Sequence, residues 1–318
     1  MRLGLSITLC VTFLSSNPWG FYAHKEINYL ACFTLPTEMF GFYKSNISYI
    51  QEFATRADQR RYAIEAEAPR HYIDLDHYEK VVPIDTVPLR WDSAVVKYGE
   101  EHLKKYGIVP WHIQSVRHWL TMAMKEHDYE QIIKLSADLG HYIADAHVPL
   151  HSTENYNGQL TNQKGIHGLW ESRLPEIFAS DYDYFTGKAV YLSNPLETIW
   201  QSVSESFAAK DTVLLLEKQL TELMPNSKFS FESKGTTTAK VYSKEFSKAY
   251  HTALNNMVER RMKKAIYIVG CFWLTAWVDA GQPAMEFDIN QKVDLQPQID
   301  SLNILMHNSV IKGRMETH

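Results

Sequence analysis

Two short stretches of the chain are unusually rich in side chains that bind metal ions. The stretch HYIADAHVPLH begins at His141 and ends at His151, and the stretch HGLWE begins at His167. Asp145 follows His141 by four residues. The same spacing separates His167 from Glu171, and residues four apart share one face of a helix. Imidazoles and carboxylates that converge in this way suit zinc. The pattern predicts a multinuclear metal site and hydrolytic chemistry.

Two further groups of polar side chains lie nearer the N-terminus. Asp58 and Arg61 are followed by His71, and each of these residues alone would be ordinary. The segment WGFYAH runs from Trp19 to His24. If a signal segment is cleaved directly before Trp19, the new α-amine of Trp19 and the Trp19 carbonyl would chelate a metal in a five-membered ring. The alternative is a signal junction followed by a buried aromatic residue.

With these motifs in this order, the chain resembles the superfamily that joins the single-strand-specific zinc nucleases of the S-one/P-one type with bacterial zinc-dependent phospholipase C. The resemblance runs from Trp19 to Glu171 and is weaker over residues 269–278. It implies an all-α, single-domain, multi-helix fold around a cleft with three zinc ions. The implied ligands are Asp58, His71, His141 and Asp145 for the first zinc, His151, His167 and Glu171 for the second, and Trp19 and His24 for the third, with Asp145 bridging the first and third.

The resemblance also implies a chemistry, the hydrolysis of phosphate esters by a zinc-bound hydroxide. Asp58 would be a ligand that also orients or deprotonates the attacking water. Arg61 would contact a phosphoryl oxygen. The alternative interpretation is that Arg61 is a solvated cation. Tyr72 would be a stacking surface for a base, and its alternative is core packing. Two zinc ions are expected instead of three if Trp19 is not the mature N-terminus.

The substrate stays open between the two branches of the superfamily. The pairing of Asp58 with Arg61 resembles the nuclease branch, whereas Glu171 as the last ligand resembles the phospholipase branch. We expect a nuclease-like or 3′-nucleotidase-like phosphodiesterase acting on single-stranded nucleic acid or a nucleotide. The alternative is a phospholipase C acting on phospholipid headgroups. A catalytically silent, secreted zinc-binding protein is the alternative of another class. No stable protein partner is indicated.

Bulk properties limit the class of protein. The chain has 318 residues, of which 45% are hydrophobic, so a sizeable core is possible. The formal net charge of −5 argues against a broad electrostatic grip on nucleic acid. Residues 1–18 predict a signal peptide, because Arg2 precedes an apolar run too short to span a bilayer. A secreted or periplasmic location is therefore expected. A disulfide between Cys32 and Cys271 stays open.

The elements that must position these groups are predicted to be nearly all helical. Residues 19–280 would form the phosphodiesterase domain, without a transmembrane segment, and residues 281–318 a loosely packed tail. Residues 225–240, rich in Ser, Lys, Thr and Gly, predict a surface loop. Apolar spacing of three or four predicts helices over residues 24–54 with a break near Pro36, 94–106, 111–125, 129–146, from 166, 196–223 and 258–277.

Overall fold

The computed structural model describes residues 20–78, 86–234, 237–285, 296–308 and 310–312. These residues form a single multi-helix fold with one two-stranded sheet, which confirms the predicted all-α class. The predicted signal peptide and Trp19 lie outside the described residues. The first helices are α1 (Gly20–Ala31), α2 (Thr37–Ser45), α3 (Ile47–Phe53), α4 (Arg56–Arg60), α5 (Trp91–Tyr98), α6 (Glu100–Tyr106), α7 (Val109–Lys125) and α8 (Tyr129–Ala146).

The second half of the chain adds shorter helices, a long helix and a hairpin. Its elements are α9 (Ile166–Gly168), α10 (Leu174–Phe178), α11 (Pro195–Leu223), β1 (Phe229–Lys234), β2 (Thr237–Tyr242), α12 (Lys244–Ala253), α13 (Met257–Asp279) and α14 (Gln296–Asn308). Between them and the first helices lie 3-10 turns at Cys32–Thr34, Glu65–Arg70, Leu75–His77, Pro149–Ser152 and Ala179–Asp181, and a π-helical turn at Leu169–Arg173.

Helices α1 and α8 approach each other closely, and this approach places the first ligands. A Cβ atom at Gly140 of α8 would lie only 1.9 Å from Oδ1 of Asn28 on α1. The Asn28 side chain fills that space and donates a hydrogen bond to the carbonyl of Ala137 at 3.0 Å. The α8 helix begins where the side chain of Asp128 accepts a hydrogen bond from the Gln131 amide.

Helix α13 packs behind this pair and forms the centre of the core. Trp273 is completely buried, stacks on Tyr43 and donates its indole N–H to the carbonyl of Ser136 at 3.0 Å. Cys32 and Cys271 are buried free thiols in the structure, and burial raises the pKa of both. Within the described ranges, no helix combines the length and the apolar character needed to cross a bilayer.

Two segments differ from their sequence predictions, and part of the predicted tail is helical. The helix predicted over residues 94–106 is divided at Gly99, whose φ of +79° is unfavourable for residues with a side chain. The loop predicted over residues 225–240 instead contains the β1–β2 hairpin, which Arg173 contacts through Glu232. In the predicted tail, α14 lies against α4, and the amide of Lys312 donates to the carbonyl of Arg61 at 2.8 Å.

Candidate metal centre

Eight of the nine predicted ligands meet in the interior, although they come from segments far apart in sequence. The ninth, Trp19, lies outside the described residues. All eight are buried, and Asp58 has the largest exposed fraction, 9%. The eight are His24 on α1, Asp58 on α4, His71 after the Glu65–Arg70 turn, His141 and Asp145 on α8, His151 in the Pro149–Ser152 turn, His167 on α9 and Glu171 in the π-helical turn.

The first group consists of Asp58, His71 and His141. Their nearest ligand atoms all lie within 4.8 Å of one another. Nδ1 of His71 is 3.0 Å from Nε2 of His141. The carboxylate of Asp58 lies 3.6 Å from the first of these nitrogens and 3.8 Å from the second. Two imidazoles and a carboxylate aimed at one point could hold one metal ion.

The second group lies beyond α8 and consists of His151, His167 and Glu171. Oε2 of Glu171 is 2.6 Å from Nε2 of His167 and 3.3 Å from Nε2 of His151. The His167–Glu171 pair predicted from its four-residue spacing is therefore in contact. The chain between the two residues passes from α9 into the π-helical turn.

The third group consists of His24, His141 and Asp145, so it shares His141 with the first. The rings of His24 and His141 stack with their centroids 4.1 Å apart. Nε2 of His24 is 3.3 Å from Oδ1 of Asp145 and also 3.3 Å from Oε1 of Glu171. His24 thus lies between the α8 ligands and the second group.

Asp145 is at the middle of the arrangement. Its Oδ2 is 3.0 Å from His71 and 3.2 Å from His141, whereas its Oδ1 is 3.3 Å from His24 and 4.0 Å from His151. Burial raises the pKa of this carboxyl, but the imidazoles of His141 and His151 outweigh burial and hold the pKa well below its usual range. Asp145 is therefore a carboxylate whose two oxygens face different imidazoles.

Backbone carbonyls orient three of the imidazoles. A carbonyl only accepts hydrogen bonds, so the Nδ1 atom that contacts it carries the proton and the opposite Nε2 is left as a metal-binding lone pair. A donor set of imidazole and carboxylate without thiolate fits zinc in a hydrolytic site. The three contacts are His141 to Ala54 at 2.7 Å, His151 to His71 at 2.7 Å and His167 to Tyr156 at 3.3 Å.

The residues predicted to act on a substrate lie beside the first group. Nη1 of Arg61 is 3.8 Å from Oδ1 of Asp58. Arg61 is only 2% exposed, so it is not the solvated cation of the alternative interpretation. Tyr72 is 6% exposed, and a Cβ atom at Gly107 would lie 2.6 Å from its ring. The stacking role of Tyr72 stays a prediction.

Sequence reasoning missed Glu67, which is completely buried beside the first group. Burial raises the pKa of Glu67, but contacts with His71 and Arg60 outweigh burial and hold the pKa well below its usual range. The available signal was its spacing, because Glu67 precedes His71 by four residues, as His141 precedes Asp145. Arg60 contacts both Glu67 and Asp138.

Comparisons with known proteins give a structural likeness that is weak. No family model matches the chain, and no curated protein sequence matches it. Among solved structures, the chain is similar to the alpha-toxin of Clostridium perfringens from the avian strain SWCP, with 14% sequence identity and a TM-score of 0.45. The match covers 82% of this chain and 66% of the toxin chain, which is just under two thirds of the toxin's length.

Proposed function

We propose that this chain is a zinc-dependent phosphodiesterase. One observation carries the proposal: the ligand atoms of eight buried side chains form three groups, each within 4.8 Å, and His141 is common to two of the groups. Ionisable groups are costly to bury unless charge compensates them. Three carboxylates and five imidazoles in one interior spot are compensated best by cations.

An imidazole–carboxylate network without metal is the simplest competing interpretation. In such a network each imidazole N–H would point at its own acceptor. Here Nδ1 of His71 and Nε2 of His141 face each other at 3.0 Å, and both also face Oδ2 of Asp145. Ring nitrogens that converge on one point are better arranged for a shared ion than for separate hydrogen bonds.

Zinc bound by such ligands supplies Lewis-acid stabilisation of phosphoryl oxygens and a nucleophilic water near neutral pH. The number of ions depends on the mature N-terminus. If the mature chain begins at Trp19, its α-amine and carbonyl join His24, and we propose three ions. If residues ahead of Trp19 are retained, we propose two. The signal-like sequence of residues 1–18 supports export to a secreted or periplasmic location.

Asp58 and Arg61 are the residues that we propose to act on the substrate. Asp58 is the most exposed of the eight ligands, although only 9% of it is exposed. Its carboxylate would orient the attacking water and accept its proton. The guanidinium of Arg61, 3.8 Å from that carboxylate, would bind a phosphoryl oxygen and hold the ester beside Asp58.

For the substrate we propose single-stranded nucleic acid or a 3′-nucleotide. The adjacent carboxylate and guanidinium of Asp58 and Arg61 support this choice, since their pairing is the feature shared with the nuclease branch. Phospholipids contain a phosphodiester, as nucleic acid does, and are the competing substrate. A silent zinc-binding protein would have the same ligands without turnover.

The test begins with metal content and a generic substrate. The purified chain should hydrolyse bis-p-nitrophenyl phosphate, lose that activity to a chelator and regain it with zinc. Parallel assays on single-stranded DNA, a 3′-nucleotide and phosphatidylcholine vesicles then identify the substrate. Turnover of phosphatidylcholine alone would replace the nuclease proposal with a phospholipase. Bound zinc without turnover of any of these substrates would support the alternative of a catalytically silent zinc-binding protein. Mass analysis of the mature N-terminus decides between two and three ions.

A further inference from the structure

Glu67 is a fully buried carboxylate that none of the three ligand groups includes. Its Oε2 accepts a hydrogen bond from Nη1 of Arg70 at 2.6 Å. Its Oε1 accepts one from Nη2 of Arg60 at 3.2 Å and another from the hydroxyl of Tyr142. Two cations and a hydroxyl therefore fix this carboxylate in place, four residues before His71 in the chain.

His71 turns its other ring nitrogen to the ligands. His141 and His151 face the ligands with Nε2, because their Nδ1 atoms contact backbone carbonyls. Nδ1 of His71 faces the ligands, 3.0 Å from Oδ2 of Asp145 and 3.0 Å from Nε2 of His141. Its Nε2 is buried and has no hydrogen-bond partner among the described residues. The nearest anionic atom on that side is Oε1 of Glu67, 3.7 Å away. A buried N–H without a partner is costly, and here it is aimed at a fixed carboxylate.

We propose that Glu67 is the positioning residue of His71, holding its Nε2–H so that Nδ1 remains deprotonated and directed at the metal. The inference rests on the proposed metal site. A carboxylate behind a ligand histidine fixes the tautomer and the ring orientation and raises the basicity of the ligand nitrogen. Backbone carbonyls do this for His141 and His151, whereas Nε2 of His71 faces the carboxylate of Glu67.

Glu67 also connects the two helices that supply the rest of the first group. Arg60 belongs to α4, which carries Asp58, and Tyr142 belongs to α8, which carries His141. A purely structural ion-pair network would explain these contacts equally well. The two roles differ in what they do to His71, because only a positioning role changes its tautomer and the affinity for zinc.

Asp138 provides a matched control. It is a buried carboxylate on α8 that contacts the same arginine, accepting from Nη1 of Arg60 at 3.0 and 3.1 Å. Asp138→Asn therefore disturbs the Arg60 network, whereas Glu67→Gln disturbs the network and also removes the charge that faces His71. Glu67→Asp keeps the charge but withdraws it by one methylene group.

The experiment uses the full chain and measures zinc affinity by competition with a chromophoric chelator. Glu67→Gln should weaken binding at one site by about 10–100-fold, Glu67→Asp should weaken it less, and Asp138→Asn should stay close to wild type. Thermal melts of the metal-free variants report whether each one folds. Unchanged zinc affinity in Glu67→Gln, or an equal loss in Asp138→Asn, would overturn the inference.

A second measurement needs no variant. In the ¹⁵N spectrum of the wild-type imidazoles, His71 should carry its proton on Nε2, and His141 should carry its proton on Nδ1. A His71 ring protonated on Nδ1 in zinc-loaded protein would refute the positioning role. A wild-type protein that binds no zinc would remove the proposed function instead. Equal zinc affinity in wild type and Glu67→Gln would remove only this inference.

Discussion

Asp145→Asn is the sharpest test of the shared metal centre. The substitution preserves the size of the side chain but replaces one carboxylate oxygen by an NH₂ group and removes the charge. Oδ2 faces His71 and His141, and Oδ1 faces His24 and His151. Whichever side the amide nitrogen takes, it is a donor that cannot coordinate a cation. One proposed ion therefore loses a ligand, and its neighbour keeps a weaker, neutral one.

The size of the effect follows from these contacts. If each ion supplies on the order of 4 kcal/mol of transition-state stabilisation, loss of one ion lowers kcat/KM by about 10³-fold. Zinc held by His151, His167 and Glu171 should survive, because Asp145 is not one of the three ligands of that group. His24→Ala removes a ligand from one group only, so it should retain more zinc than Asp145→Asn does.

The assay compares both variants after dialysis against metal-free buffer. Zinc content by elemental analysis and kcat/KM on bis-p-nitrophenyl phosphate are measured on the same samples. Asp138→Asn is the control, since it is the same substitution on the same helix at a residue that belongs to none of the three ligand groups. Equal zinc retention in Asp145→Asn and His24→Ala would refute the bridging role. Wild-type turnover in Asp145→Asn would refute the catalytic one.

Three other predictions test the substrate contact, the helix packing and the pH dependence. Arg61→Ala should lower kcat/KM by roughly 10–100-fold, the equivalent of one charged hydrogen bond, without changing the zinc content; unchanged turnover would exclude a phosphate contact. Gly140→Ala should cost about 1–3 kcal/mol in urea unfolding, since its Cβ would meet Asn28 at 1.9 Å. Gly41→Ala, with nothing within 4 Å of its Cβ, should not destabilise, and equal effects would count against the close approach of the helices. Burial, with Arg70 adding to it, lowers the pKa of His112 to about 3. This folded-state pKa lies below the pKa of about 6.5 that His112 has in the unfolded chain. The free energy of unfolding should therefore fall by about 1.4 kcal/mol per pH unit as the pH drops from about 6.5 to about 3. His112→Phe should flatten that slope in metal-free protein. Identical slopes in wild type and His112→Phe would show that His112 does not cause the loss of stability.

The sequence predicted the parts of the site that local periodicity determines. The α8 helix runs from Tyr129 to Ala146 as expected, because its apolar spacing is regular and Asp128 caps it. His141 and Asp145 share a face of that helix for the same reason. The all-α class followed from similar patterns elsewhere.

What the sequence could not provide is contact between distant segments. His24 and Asp58 were assigned through resemblance alone, since nothing in their spacing points to α8. Glu67 has a ligand-like spacing, but its burial depends on Arg60 and Tyr142, which only the folded chain brings together. The β1–β2 hairpin was missed because its sequence is polar and one of its anchors is a bidentate contact with Arg173.

The π-helical turn at Leu169–Arg173 makes this stretch far more sensitive to a change in length than to a change in side chain. Its wider winding turns Glu171 toward the histidines and lets Arg173, two residues later, reach Glu232 of the hairpin. Deleting one residue would restore ordinary α-helical winding and rotate every following side chain by about 100°. The carboxylate and the hairpin contact could not then both keep their places, so insertions and deletions here should be tolerated much less than conservative replacements.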